Sequence, residues 1–523
     1  MAALPQFTLL GHTFNERQPV AEVAPSAPRN LRYSLTRRLM RRAFKAANKD
    51  RLTADWLSSG GDINQELRAQ LHILRARARS QEQNSNMARR FLRLNEIHIV
   101  GPDGFNLQVK GKLKNGKLDT KGNKHTEADF KKWAKRGVCE ISGRHSFKDV
   151  QRISVRTAAR DGECLIRMHN VQPSQRNPWG FVIEMLDPAR LDQRLNEDLK
   201  NGNRIRLGVE LNGANRPVAY WLKRGERNGL FNFTEKHDRV EADDLIHWFD
   251  SERPEQLRAA TWMCSAMLTM HHVNEYQEAA IVAARAGASK MGFYTAPDGN
   301  PHALGDDTDG DEDGADLLED FEPGKLDLLP PGYGFTGFDP KYPHEAYGPF
   351  IKVNQHDAAM GLGVSYHALT GDLADVNFSS IRSGTQEERE NWKVKQDSFS
   401  AGLMEIIYLR WLNMAVLNKR VGANLSQENA LDRYGDHDWK GRRWQWVDPL
   451  KDIQAIILAI NAGMTSPKRV ASELGLDVEE LLDEIAEFQQ MLKEKNITLP
   501  VVPKASASAK EKEKKEKDNA EED

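Results

Sequence analysis

Cysteine is scarce in this chain: Cys139, Cys164 and Cys264 are the three in 523 residues, and no two form a Cys-X-X-Cys pair. That spacing argues against a disulfide scaffold or a zinc site and favours a reducing compartment. No apolar run approaches the roughly 20 residues a membrane helix needs, and the N-terminus lacks a signal-peptide core, so a soluble protein, intracellular at synthesis, is expected. Charge of one sign is not in excess either. The formal net charge is −2, too small for the molecule as a whole to attract nucleic acid. Phosphate-loop, dinucleotide-binding, HExxH and GxSxG signatures are all missing. A packaging ATPase would need the first, and a metallohydrolase or serine hydrolase one of the others. A non-enzymatic, structural role without cofactor or metal is the expectation.

What the chain does have is length and pattern. Hydrophobic residues make up 39% of it, enough to bury cores in two to four structural units. The rest is organised around residues 354–417. A helical segment over 354–360 should stop at Gly361 and Gly363, where glycine permits backbone angles other residues avoid. After Val364-Ser365-Tyr366, residues 370–380 are short, polar and rich in turn-formers, which predicts an exposed loop. Ser379 or Ser380 is placed to cap the next helix, with Glu387 and Glu388 in its early, anion-favouring part. Trp392, Phe399, Leu403, Ile406, Ile407, Arg410 and Met414 then recur at helical spacing, with no proline before Leu417. Such a helix spans roughly 50 Å and calls for a large assembly around it.

Residues 1–50 carry a basic cluster (Arg37, Arg38, Arg41, Arg42, Lys45) and read as a flexible arm, the cluster being the solvated face of a short helix with a frayed N-terminus; an arm that touches partner proteins or nucleic acid and a targeting peptide are the alternatives. Residues 51–98 are predicted helical: Leu67, Leu71 and Leu74 share a face, and the 84–86 segment caps a second helix. A strand at 105–109 is followed by a basic, glycine-containing loop at 111–124 and helices at 130–133 and 147–159. Strands follow at 164–169, 181–186, 204–211, 217–222 and 244–249, with Asn212-Gly213 marking a hairpin. Together residues 100–250 form an α+β unit, mostly antiparallel. A helix is predicted over 254–285, with His271 and His272 as surface or packing residues rather than metal ligands.

Residues 287–340 are the most irregular stretch. Within 306–322 there is no Lys or Arg, and Asp306, Asp307, Asp309, Asp311, Glu312, Asp313 and Asp316 crowd together. Residues 309–314 match the first half of a calcium loop, but the twelfth position is Asp320 where Glu is usual. An acidic exposed loop is the preferred reading. A calcium-regulated nucleic-acid-processing protein built around this loop is the alternative. Further on, Arg442, Arg443, Trp444 and Trp446 could stack on bases, though their alternation better fits a strand with an aromatic face. Helices at 452–460 and 467–492 follow, the second capped by Ser466, and residues 501–523 form a charged tail expected to be disordered.

Several ordered segments resemble the lambda-type portal proteins of tailed bacteriophages. They include Leu74-Arg75-Ala76-Arg77-Ala78-Arg79, Phe130-Lys131-Lys132-Trp133 with Cys139, Asp161-Gly162-Glu163 and Arg216-Pro217-Val218-Ala219-Tyr220-Trp221. Ile246-His247-Trp248-Phe249 with Glu252-Arg253-Pro254-Glu255-Gln256 is the most specific. Leu362 to Tyr366, Leu369 to Asp372, and Asn377-Phe378-Ser379-Ser380-Ile381-Arg382 form the next. The resemblance covers roughly residues 60–490. It departs at Leu257-Arg258-Ala259-Ala260, where a glycine usually follows the arginine, and at Phe378, usually tyrosine.

The resemblance implies an α+β portal-type fold assembled as a homo-oligomeric ring, usually of twelve subunits, at one capsid vertex. Double-stranded DNA would pass through its channel. Residues 51–253 would form the wing, 254–286 and 344–363 the stem helices, and 287–343 the clip. The long helix at 383–420 would cross the wing, and 421–500 would form the crown. The tunnel loop at 364–382 would present Thr370, Asp372, Asp375, Asn377, Ser379, Ser380 and Arg382 to DNA, with Arg382 touching phosphate or tying the loop to the helix. The acidic clip residues would face the terminase large subunit and later the head-completion adaptor. Major capsid and scaffolding proteins are the other implied partners, the virion and the host cytoplasm the implied locations, and no membrane is involved.

Overall fold

The computed structural model describes residues 60–225, 233–288, 345–374, 378–444, 449–473 and 478–495, and the short strands at 7–9, 12–14, 292–295 and 334–337. The chain divides into two compact units, Met1–Asp62 and Ile63–Asp523. In the first, β1 (Phe7–Leu9) pairs antiparallel with β2 (His12–Phe14). The basic cluster at 37–45 and the tail at 501–523 lie outside the described residues.

The second unit opens with α1 (Ile63–Asn84), which buries Leu67, Leu71, Arg75 and Ala78 along one helical stripe. Ser85 caps α2 (Asn86–Asn95), accepting a hydrogen bond from the Ala88 N–H at 3.4 Å, as the 84–86 pattern predicted. A π-helical turn at Glu96–Val100 follows and ends at Gly101, whose φ is 77°. After β3 (Asn106–Val109) comes α3 (Thr120–Trp133). The predicted basic loop at 111–124 is therefore shorter. Asp119 caps the helix through the Gly122 N–H, and Asn123, Thr126, Phe130 and Trp133 provide a buried face that spacing around the lysines had hidden. A reciprocal Ser146/Asp149 capping box starts α4 (Phe147–Asp161), and Gly162 ends it at φ 91°.

Two antiparallel sheets follow. Strands β4 (Cys164–Asn170) and β5 (Phe181–Leu186) belong to one. The other comprises β6 (Glu197–Asp198), β7 (Arg204–Arg206), β8 (Val209–Leu211), β9 (Pro217–Gly225) and β10 (Phe233–Glu241), in the order β10-β9-β8-β7-β6. Residues 204–211 are thus two strands rather than one, because Leu207 and Gly208 both take positive φ and reverse the chain. Strand β10 had no clear alternation and was not expected. The final strand, β11 (Leu245–Trp248), completes the first sheet in the order β11-β4-β5.

The predicted helix at 254–285 begins only at α5 (Met267–Ala288). Residues 254–266 run as turns, since buried Arg258 and the Thr261–Ala159 hydrogen bond pull them onto the end of α4. The stretch expected to be irregular contains an antiparallel pair, β12 (Gly292–Thr295) with β13 (Gly334–Gly337). The acidic residues 306–316 lie outside the described residues. Helix α6 (Tyr347–Leu362) runs through Gly361 and stops at Gly363 in the left-handed region, and α7 (Tyr366–Thr370) is capped by Ser365.

A long helical run then begins: α8 (Phe378–Phe399), a π turn at Ser400–Met404, and α9 (Glu405–Leu417). At 1.5 Å per residue it spans about 60 Å. Its second half fills the main core, where Ile407, Tyr408, Trp411, Leu412 and Ala415 are fully buried against Phe130, Trp133 and Phe147. Ile406, placed on the same face by spacing, is instead 41% exposed. The π turn lets the run pass close to β11: a Cβ on Gly402 would lie 2.5 Å from the Trp248 ring.

Helix α10 (Gln427–Tyr434) and β14 (His437–Lys440) follow, and β14 pairs with β3 across more than three hundred residues of sequence. The strand of this region therefore carries Trp439, and Trp444, predicted to lie in a strand, is outside it. Trp444 donates its indole N–H to His98 Nδ1 at 3.0 Å, and Arg442 donates to the Ile97 carbonyl. Trp446 lies outside the described residues. Helices α11 (Pro449–Asn461), α12 (Pro467–Glu473) and α13 (Val478–Glu494) close the chain, with Ser466 capping α12 as predicted.

Candidate functional site

The loop predicted to face a ligand sits between α7 and α8, and its base is fastened from several sides. The Ser365 hydroxyl donates to Glu388 of α8 at 2.8 Å and accepts from the Ala368 N–H. Arg90 of α2 donates to the Ala368 carbonyl at 2.9 Å. The Tyr366 ring stacks on His356 of α6 with centroids 3.9 Å apart. Beyond Gly371, at φ 78°, the Asp372 carboxylate accepts from the Tyr366 hydroxyl at 2.9 Å and from the Ala374 N–H at 3.0 Å. The Asp372 N–H in turn donates to Thr370 Oγ1. These contacts, the Ala374 N–H first and the Tyr366 hydroxyl second, lower the Asp372 pKa.

Of the seven residues expected on this loop, Thr370 ends α7 and Asp372 shapes the turn after it. Asp375 and Asn377 lie outside the described residues. Ser379, Ser380 and Arg382 belong to the first turns of α8 rather than to the loop. The turn-former composition of 378–380 misled here, because serine is also well tolerated where a helix starts. Leu373, not singled out from sequence, is the exposed apolar residue of the described loop.

A buried charge cluster forms a second polar centre in the same unit. Glu163, at the start of β4, receives Arg75 of α1 at 2.9 Å and the Nε of Arg258 at 2.7 Å. His247 of β11 lies 2.9 Å from its other side. Arg258 also donates to the carbonyls of Leu207 at 2.9 Å and Leu191 at 3.2 Å. The side chains of Glu163 and Arg258 are both 0% exposed. Burial alone would raise the Glu163 pKa, but the Arg258 guanidinium and its hydrogen bonds hold the carboxyl well below the usual range. Burial also lowers the His247 pKa, partly opposed by its bond to Glu163. Gly162 is required beside this cluster: a Cβ there would lie 2.3 Å from the Ala259 carbonyl oxygen. No group of metal-ligating side chains occurs among the described residues. Both His271 and His272 are exposed, as expected.

Residues 49–396 match a family model described as "Phage portal protein, lambda family". The chain belongs to the lambda family of phage portal proteins. It is 35% identical over 484 residues to the "Probable portal protein" of Halomonas phage phiHAP-1, covering 92% of this chain and 91% of that one. It is 22% identical over 452 residues to "Portal protein B" of Escherichia phage lambda, covering 80% and 82%. Among solved structures, a chain from "Virion of native gene transfer agent (GTA) particle" aligns with 78% of this chain and 94% of its own, at 12% identity and a TM-score of 0.40. The family assignment rests on the sequence relationships alone. Three of the segments that carried the resemblance meet in the buried cluster, where 74–79 supplies Arg75, 161–163 supplies Glu163 and 246–249 supplies His247; the departing segment at 257–260 adds Arg258.

Proposed function

We propose that copies of this chain form a ring of about twelve subunits at one vertex of a phage capsid, through which double-stranded DNA is packaged and ejected. Membership of the portal family carries this reading. The order of elements agrees with it: a helix, an acidic insert, a second helix, a loop and one very long helix. Apolar side chains left in water by the single chain, including Leu268 and Ile281 on α5, Val353 and Met360 on α6, and Leu458 on α11, suit burial between neighbouring copies. No described helix is long and apolar enough to cross a membrane.

In this reading residues 51–253 form the wing, α5 and α6 the stem, 287–343 the clip and 421–500 the crown. The α7–α8 loop faces the DNA with Asp372, Asp375 and Asn377. A near-neutral chain suits a channel along which DNA must slide, since many phosphate contacts would hold it. The acidic clip docks the terminase large subunit and then the head-completion adaptor, while the outer surface meets major capsid and scaffolding proteins. The chain acts in the virion, after assembly in the host cytoplasm, and catalyses no reaction. Native mass spectrometry with negative-stain imaging tests the reading. A closed ring near twelvefold is expected; a stable monomer at all salt and protein concentrations would overturn it.

A further inference from the structure

Two clefts adjoin on the surface at Arg136, away from the loop described above. One, of 430 Å³, is lined by Arg144, His145, Arg152 and Arg156 around the start of α4. The other, of 380 Å³, carries Lys131, Lys135 and Lys148 on its walls, with Phe105, Leu107, Phe130 and Phe147 beneath. Arg156 is neutralised by Glu82 and Glu96. None of Lys131, Lys135, Arg136, Arg144, Lys148 and Arg152 forms an ion pair among the described residues. Arg136 and Arg152 instead donate to backbone carbonyls, of Arg144 and of Gly101 and Pro102.

Four carboxylates share the clefts, Glu96, Asp103, Asp149 and Glu127, and three of them are engaged. Asp149 accepts from Ser146, Glu127 accepts from the Val109 N–H at 2.7 Å, and Glu96 holds Arg156. On a chain with a formal net charge of −2, six cations outside ion pairs, against the three carboxylates left beside the Glu96–Arg156 pair, make this a net positive surface. Five of its six cations, all but Arg152, are exposed.

We propose that this double cleft docks a protein segment in which carboxylates alternate with one or two apolar side chains. The exposed guanidinium fork at Arg144 matches the two oxygens of a carboxylate. An apolar side chain entering the second cleft would cover the Leu107–Phe147 floor while the lysines on the walls meet its acidic neighbours. The apolar floor favours a peptide over nucleic acid, because a phosphate backbone would use the cations and gain nothing from the aromatic surface beneath them. The proposal goes beyond the channel reading and does not depend on it.

Fluorescence anisotropy on the full-length protein tests it, with a labelled hexapeptide alternating glutamate and leucine as probe. The paired change Arg144→Glu with Lys148→Glu should weaken binding by about tenfold or more, because it turns attraction into repulsion. Lys131→Glu with Lys135→Glu is the independent second pair; these side chains are exposed, so the melting temperature should not move. Replacing the leucines by serine should weaken binding by about fivefold through loss of apolar burial. Three results would overturn the proposal: binding untouched by both charge reversals, binding untouched by the serine peptide, or displacement of the peptide by a short DNA duplex that binds more tightly.

Discussion

Glu163 and Asp372 are both carboxylates held in the ionised form, but by opposite means. At Glu163 two arginines and a histidine surround a group with no access to water, so attraction between charges must offset a large desolvation cost. Asp372 sits at the surface and is held by a backbone N–H and a phenol, neutral donors within the same short segment. The first arrangement joins α1, β4, β11 and the 254–266 segment into one body. The second orders a single turn.

The largest test of this contrast is Arg258→Met. Removing one of the two arginines leaves Glu163 with Arg75 as its remaining guanidinium partner and should cost about 3 kcal/mol or more in urea denaturation. The double change with Glu163→Gln should recover part of that loss, because the carboxylate needing compensation has gone while buried Arg75 loses its partner. If the two single changes simply add, the cluster is not a coupled unit.

Acid should act next. Glu163 and His247 both have lowered folded-state pKa values, so the unfolded chain binds protons first as pH falls. Stability should be fully present above about pH 6.5, decline below it as His247 of the unfolded chain becomes charged, and decline further below about pH 4.3 through Glu163. His98 reinforces the first phase: burial and neighbouring arginines lower its pKa to about 4, and charging it would remove the acceptor for Trp444. A melting temperature flat between pH 7 and 5 would contradict the assignment.

The smallest effect belongs to the loop. Tyr366→Phe deletes one hydrogen bond to Asp372 and should cost about 1 kcal/mol locally. Amide exchange at 371–374 should accelerate while the global melting temperature stays put. A global loss on the scale of the Arg258 change would erase the contrast between the two regions.

Local signals in the chain were enough for most helices and for the family. Ser85 and Ser466 cap helices, Gly363 stops one, and the apolar spacing from Trp392 onward makes a single long helical run, because capping and periodicity depend on neighbours within a turn or two. The segments that marked the portal family were also visible in order along the chain. Among the residues expected to meet DNA, the sequence indicated a loop after Leu369 but not its length, since serine suits a turn and a helix start alike. Asp372 was read as a ligand-facing group, and its role in shaping the turn needed the position of Tyr366.

Tertiary structure alone decided which distant groups meet. Nothing in local spacing says that β3 pairs with β14, that Trp444 reaches His98, or that Arg258 abandons a helical pattern to reach Glu163. Those choices depend on burying charge and aromatic surface together, and that free energy exists only once segments hundreds of residues apart share one core.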